Sequence, residues 1–308
     1  MDTTKEKNFV SAVVYCFDDA DTIGKFIECL DGILLENFLK YEIVVVNDAS
    51  TDDSVGQVKE FAAHKEGKVI TVLNMSHHQG LEASMNAGVD LAIGDFVFEF
   101  DYAVSDFPWT MLMKIYHHAL NGYDIVSARP NTRKRFSSRL FYKVFNHYAN
   151  LQHELSTETF RLLSRRAINR VHSLTESIPY RKASYANCGL SMSALTYSPT
   201  VSVKNKRHHS RMTMAVDSII LFTDLAYRMT VGLAVFMAIV TLSIGLYALL
   251  TKIYMHPVEG WATTILFLAF GFLGLFVILA MVIKYLQTIV TLIFRKKEYM
   301  FESIEKLQ

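Results

Sequence analysis

The chain has 308 residues, a formal net charge of +1 and 51% hydrophobic residues, with a mean hydropathy of +0.21 and a pI near 7.8. That length is about two domains' worth, and the apolar excess predicts a membrane part beside a soluble one. Balanced charge gives no support to a duplex-binding protein, which needs a dense phosphate-neutralising surface, so no nucleic-acid partner is expected.

The N-terminus, MDTTKEKNF, is polar and shows no secretory signal. Five short β-branched runs follow: Phe9–Tyr15, Tyr41–Asn47, Lys68–Asn74, Asp95–Asp101 and Tyr123–Arg129. Helix-like stretches lie between them at 21–36, 52–64, 80–92 and 108–120. This alternation predicts an α/β domain over residues 1–200, built on a doubly wound, mostly parallel sheet. Sheets of this kind bind ligands outside the carboxyl ends of their strands. Those ends carry Asp18 and Asp19, then Asn47 and Asp48, and finally Asp101. GxGxxG and Walker A patterns are absent, which argues against a dinucleotide enzyme or an NTPase. Ser50 or Thr51 reads as a helix cap, and Asp48 is equally a turn residue or a site residue. Asp101 ends an apolar strand, with Asp106 in a loop closed by Pro108.

Residues 201–228 read as a basic, amphipathic juxtamembrane segment and 229–294 as two transmembrane helices. Met229–Leu250 and Trp261–Ile283 contain no charged residue, and each can cross ~30 Å of hydrocarbon. Lys204–Arg211 (KNKRHHSR) and Arg228 precede the spans, and Arg295, Lys296 and Lys297 follow them. The positive-inside rule then puts the soluble domain, both termini and the tail 295–308 on the cytoplasmic side of the cell (inner) membrane. Arg135–Leu151 and Met214–Arg228 space apolar residues, Phe136, Leu140, Phe145 and Tyr148 among them, as helices lying along that interface would. Core packing is the alternative for each. Cys16, Cys29 and Cys188 form no CxxC pair, which predicts reduced thiols and no structural zinc. The pairs His77-His78, His117-His118 and His208-His209 read as surface residues.

Together, VSAVVYCFDDADTI, EIVVVNDASTDDS and HHQGLEASMNAGVDLAIGDFVFEFD resemble the family-2 glycosyltransferases with a GT-A fold. RPNTRKRFSSRLFYKVFNHYAN and TFRLLSRRAINRV, followed by two spans, narrow the likeness. They resemble the membrane-anchored polyprenyl-phosphate enzymes, a group that includes dolichol-phosphate mannosyltransferase-like proteins. The resemblance implies a nucleotide-sugar donor, a polyprenyl phosphate acceptor at the membrane surface and a role in cell-envelope glycan biosynthesis. It places Asp19, Asp48 and Asp101 at the donor, and gives Asp101, Asp106 and Glu158 catalytic duties. Asp101 and Asp106 become the candidate ligands of Mg²⁺ or Mn²⁺. Arg129, Arg133, Lys134, Arg135 and Arg211 would face the lipid phosphate, although attraction to anionic lipid explains such a cluster equally well. A homo-oligomer is left open.

The chain departs from the family's motifs at several positions. The Asp-x-Asp metal motif reads Asp101-Tyr102-Ala103, and Gly-Asp-Phe-Arg reads Glu158-Thr159-Phe160-Arg161. Asn47 precedes Asp48 where two aspartates are usual, His77-His78 replaces Arg-Asn, and Leu81 replaces a lysine. A phosphate acceptor, with a second pKa of about 6, needs no general base, so Thr159 is compatible with transfer. Two classes of function follow: a transferase with altered metal handling, or a catalytically degenerate relative that binds a lipid, a nucleotide or a partner.

Overall fold

The computed structural model describes residues 5–64, 69–131, 142–143, 145–146, 153–155, 157–174, 180–199, 225–255, 260–293 and 299–307. The chain forms two compact units, one of residues 1–146, 150–211 and 294–308, the other of 147–149 and 212–293.

The first unit runs β1 (Glu6–Cys16), α1 (Ala20–Asn37), β2 (Phe38–Asn47), α2 (Ser54–Ala63), β3 (Ile70–Met75), α3 (Leu81–Leu91), β4 (Phe96–Phe100) and α4 (Thr110–Ala119). It continues with β5 (Ile125–Pro130), β6 (Phe160–Ser164), α5 (Arg165–Leu174), α6 (Arg181–Ala186), β7 (Met192–Tyr197) and β8 (Phe301–Leu307). The eight strands form one sheet in the order β7-β5-β6-β4-β1-β2-β3-β8. β4, β1, β2 and β3 are mutually parallel. β6 runs antiparallel between β4 and β5, and β8 runs antiparallel along β3.

The alternating and periodic apolar residues build a core on each face. Along β1, Val10, Ala12, Val14 and Cys16 face α1, α2 and α4, while Val13 and Tyr15 face α3 and α5. α1 buries Ile23, Phe26, Ile27, Leu30 and Leu34 at helical spacing and exposes Lys25, Glu28 and Cys29. Each such large side chain contributes ~1.5–3 kcal/mol by leaving water. On the other face Gly88 lets α3 lie close, because a Cβ there would stand 2.5 Å from Val46 Cγ2 and 2.6 Å from Val13 Cγ1.

The five expected strands are present within a few residues. β6, β7 and β8 were not foreseen. The segment 295–308, expected to be a tail, instead carries β8: its register pairs Ile70 with Leu307 and Val72 with Glu305.

The second unit holds α7 (Leu225–Met255) and α8 (Trp261–Ile293). Val231–Tyr254 and Thr263–Leu286 are long and apolar enough to cross a membrane. A soluble core helix would bury such a surface, yet Phe267 and Phe270 are 78% and 73% exposed. The two helices approach at small residues, with a Cβ on Gly245 reaching Ala269 Cβ at 3.6 Å. Tyr247 also meets Trp261 edge-on.

Candidate active site

β1, β2 and β3 run outward in sequence order, and β4 returns to the other side of β1. That reversal is the place where doubly wound sheets open a ligand crevice. Three groups of side chains converge on the strand ends there.

The first is an interlocked pair of turns after β1 and β2. Asp18 (φ 50°) and Ala49 (φ 56°) both adopt the left-handed backbone that non-glycine residues seldom take. Asp18 Oδ1 accepts from Thr51 N at 2.7 Å, Ser54 Oγ accepts from Asp19 N at 2.9 Å, and Asp52 Oδ2 accepts from Ala20 N at 2.9 Å. Ser50 and Thr51 therefore brace the turn after β1 and do not cap α2, which starts later at Ser54. Asp19 itself accepts from Phe17 N, and its carbonyl starts α1. Asn47 explains one departure from the family pattern: its amide donates to Asn74 Oδ1 at 2.9 Å and accepts from Ser50 N at 3.0 Å. An ionised aspartate could not donate.

The second group surrounds Asp48, which is fully buried. Its carboxylate accepts from Tyr15 Oη (2.7 Å), Gln79 N (2.7 Å) and Gly80 N (2.9 Å). His78 Nδ1 lies 2.9 Å away and its ring stacks on Phe17. His78 is thus an exposed surface residue, as expected, that also partners a buried acid. Gly80, at φ 87°, lets the chain turn so that two successive amides reach one carboxylate.

The third group is a buried ionic network at the end of β4. The β4–β6 register sets Glu99 opposite Arg161. Arg161 donates to Glu99 (2.7 Å), Asp101 (3.1 Å) and Glu158 (3.2 Å). Arg181, at the start of α6, donates to Asp101 Oδ1 (2.8 Å) and Glu82 (3.0 Å) and pairs with Glu99 at 2.9 Å. Tyr185 donates to Glu99 at 2.7 Å. Lys182 Nζ stands 3.8 Å from Asp101 Oδ2. Burial would raise the Asp101 carboxyl, but Arg161, Arg181 and Lys182 outweigh it and hold it well below the usual carboxylate range. Such a network survives burial only because each charge has close opposite partners.

Asp106 does not join this network. It accepts from Tyr197 Oη at 2.8 Å, and that hydroxyl also bonds Thr159, the residue that replaces the family's acid. Desolvation dominates there, and the Asp106 carboxyl is raised. Asp101 and Asp106 were the expected metal ligands, and the donor set does not fit Mg²⁺ or Mn²⁺. Both Asp101 oxygens are taken by guanidinium groups, Asp106 is tied to Tyr197, and Ala103 offers no ligand atom. Among the described residues no cluster of three or more His, Cys, Asp or Glu side chains suits a metal.

Of the expected lipid-phosphate residues, Arg129 is half-buried at the end of β5. Arg133, Lys134, Arg135 and Arg211 lie outside the described residues, as do Phe136, Leu140, Tyr148 and most of 214–228. Phe145 is buried, with its ring edge-on to Tyr180, so core packing holds for that residue. All three cysteines are free, and burial pushes the Cys16 thiol up to about 12.

Sequence reasoning missed Glu82, Arg181, Lys182 and Tyr185. A signal was available: Glu99 inside the apolar strand FVFEF demands a buried countercharge. Nothing local says which arginine supplies it.

A doubly wound sheet with acidic strand ends at its switch point is a ligand-binding α/β domain, here followed by two apolar helices. Residues 11–172 match Glycosyl transferase family 2, and the chain belongs to that family. It is 26% identical over 275 residues to an uncharacterized glycosyltransferase of Synechocystis sp., covering 86% of this chain and 85% of that one. It is 22% identical over 271 residues to the bactoprenol glucosyl transferase of Shigella phage SfX, covering 85% and 88%. Among solved structures, a mannosyltransferase of Pyrobaculum calidifontis in complex with GDP-Man and Mn²⁺ aligns at TM-score 0.49 and 18% identity, over 70% of this chain and 63% of that one.

Proposed function

We propose that this family-2 glycosyltransferase moves a sugar from a nucleotide-sugar donor to a polyprenyl phosphate at the cytoplasmic face of a membrane. The observation that carries this reading is the extent of the likeness to bactoprenol glucosyl transferases. It covers 85% of the chain, so it runs beyond residues 11–172 and into the apolar helices. The reaction breaks the bond between the anomeric carbon and the donor diphosphate, whose oxygen leaves with the electron pair. An oxygen of the acceptor phosphate forms the new bond to that carbon. The acceptor is already ionised near neutral pH and needs no proton removed. Asp19, Asp48 and Asp101 would border the donor, the first two through the turns they brace. Arg129 and the basic stretch 133–135 would meet the lipid phosphate.

Chain topology supports the membrane arrangement. β8 shares a sheet with β1–β7, so the chain leaves this unit before α7 and re-enters it after α8. Two crossings are consistent with that return, and the basic flanks favour the cytoplasm as the soluble side.

The test is nucleotide release by the full chain in nanodiscs, across a panel of UDP-, GDP- and dTDP-sugars. At least one donor should release nucleotide only when polyprenyl phosphate is present. The closure of Asp101 between two arginines favours a second reading, a relative that binds without transferring. That reading predicts donor binding with no acceptor-dependent release for any sugar.

A further inference from the structure

We infer that Lys182 supplies to the donor diphosphate the positive charge that the family's Asp-x-Asp motif ordinarily recruits with a divalent metal. The inference rests on the transferase reading and names how that same site handles its leaving group. Three observations carry it.

The metal position has been dismantled. Ala103 replaces one ligand and is itself 1% exposed, and both Asp101 oxygens accept from Arg161 and Arg181. A metal would have to displace two charge-assisted bonds, the stronger class of hydrogen bond.

Among the cations of the network, Lys182 is the least enclosed, although it too is mostly buried. The Arg161 and Arg181 side chains are each 1% exposed, whereas that of Lys182 is 14% exposed. The arginines therefore neutralise the interior, while the Lys182 side chain is the least covered of the three.

Its location also fits. Lys182 Nζ lies 3.8 Å from Asp101 Oδ2, beyond hydrogen-bond length, at the carboxyl end of β4 where doubly wound sheets hold ligands. Its three donors form a compact charge suited to phosphate oxygens. As the anomeric bond breaks, negative charge grows on the departing phosphate, and a fixed cation there lowers the barrier.

The test is calorimetric binding of UDP-glucose and GDP-mannose to the full chain in nanodiscs, once in EDTA and once in Mn²⁺. Affinity should agree within about two-fold between the two buffers. Lys182→Met should weaken binding about ten-fold or more, as loss of a charged hydrogen bond does, and Lys182→Arg should restore most of it. Binding that requires Mn²⁺ overturns the inference and leaves the transferase reading standing. Unchanged binding by a folded Lys182→Met protein also overturns it. If Lys182→Met does not fold, Lys182→Gln takes its place, with the same loss expected and unchanged binding again overturning the inference. Failure of both nucleotides in both buffers removes the donor reading for these sugars, and this inference with it.

Discussion

At the residue scale, the departures from the family's motifs come with matching partners. Asn47 bridges to Asn74, His78 sits on Asp48, and Thr159 bonds the tyrosine that holds Asp106. Asp101 is the sharpest test of this ordering. Asp101→Asn keeps the shape but leaves Arg161 and Arg181 short of a buried countercharge, so it should destabilise the protein by ~3–5 kcal/mol. Thermal unfolding of the purified full-length variant reads that loss. The pH dependence follows in sign. Because the folded protein holds Asp101 below its ordinary value of 3.8, its contribution is complete at pH above that value. It is lost as pH falls through the depressed one. The wild type should therefore lose stability on acidification below about pH 4 more steeply than the asparagine variant does. Asp101 was legible as a site residue because it ends an apolar strand. Its arginines were not, since Arg161 and Arg181 lie 60 and 80 residues away and only the fold brings them in.

At the element scale, β1 to β5 were legible because parallel strands buried on both faces read as unbroken β-branched runs. β8 was not, because FESIEKL spaces its apolar residues, Phe301, Ile304 and Leu307, three apart, which reads as a helix face more readily than as a strand. Yet β8 closes the edge of β3: Asn74 donates to Ser303 and Glu305 at 3.0 Å, and Lys59 pairs with Glu305 at 2.6 Å. Just before β8, Met300 N donates to Gln79 Oε1 at 2.9 Å, and Gln79 N in turn donates to Asp48. The segment after the second apolar helix thus steadies the loop that encloses Asp48. Ending the chain at residue 298 should expose β3 and loosen residues 76–80. Hydrogen exchange should show faster exchange across residues 70–80, while β1 and β4, whose ladders are intact, keep their protection.

At the scale of the whole molecule, the two long apolar helices were legible from composition alone, since each is an uncharged run of more than twenty residues. The re-entry of the chain into its sheet was not, because it depends on a pairing between Ile70–Met75 and Phe301–Leu307 that no local pattern records. Reporter fusions after residues 200 and 308 should both report the cytoplasm, and one near residue 256 should report the opposite side. A fusion at either terminus that matches the one at 256 contradicts the hairpin. The central claim is transfer to a lipid phosphate, and mass spectrometry of the lipid phase tests it most directly. Full-length protein in nanodiscs is incubated with polyprenyl phosphate and a panel of nucleotide sugars, and the extracted lipid is weighed. The account predicts that, with one donor, the polyprenyl phosphate gains the mass of a single sugar and that the gain needs intact protein. Unmodified lipid with every donor, from protein that binds those donors, would contradict it.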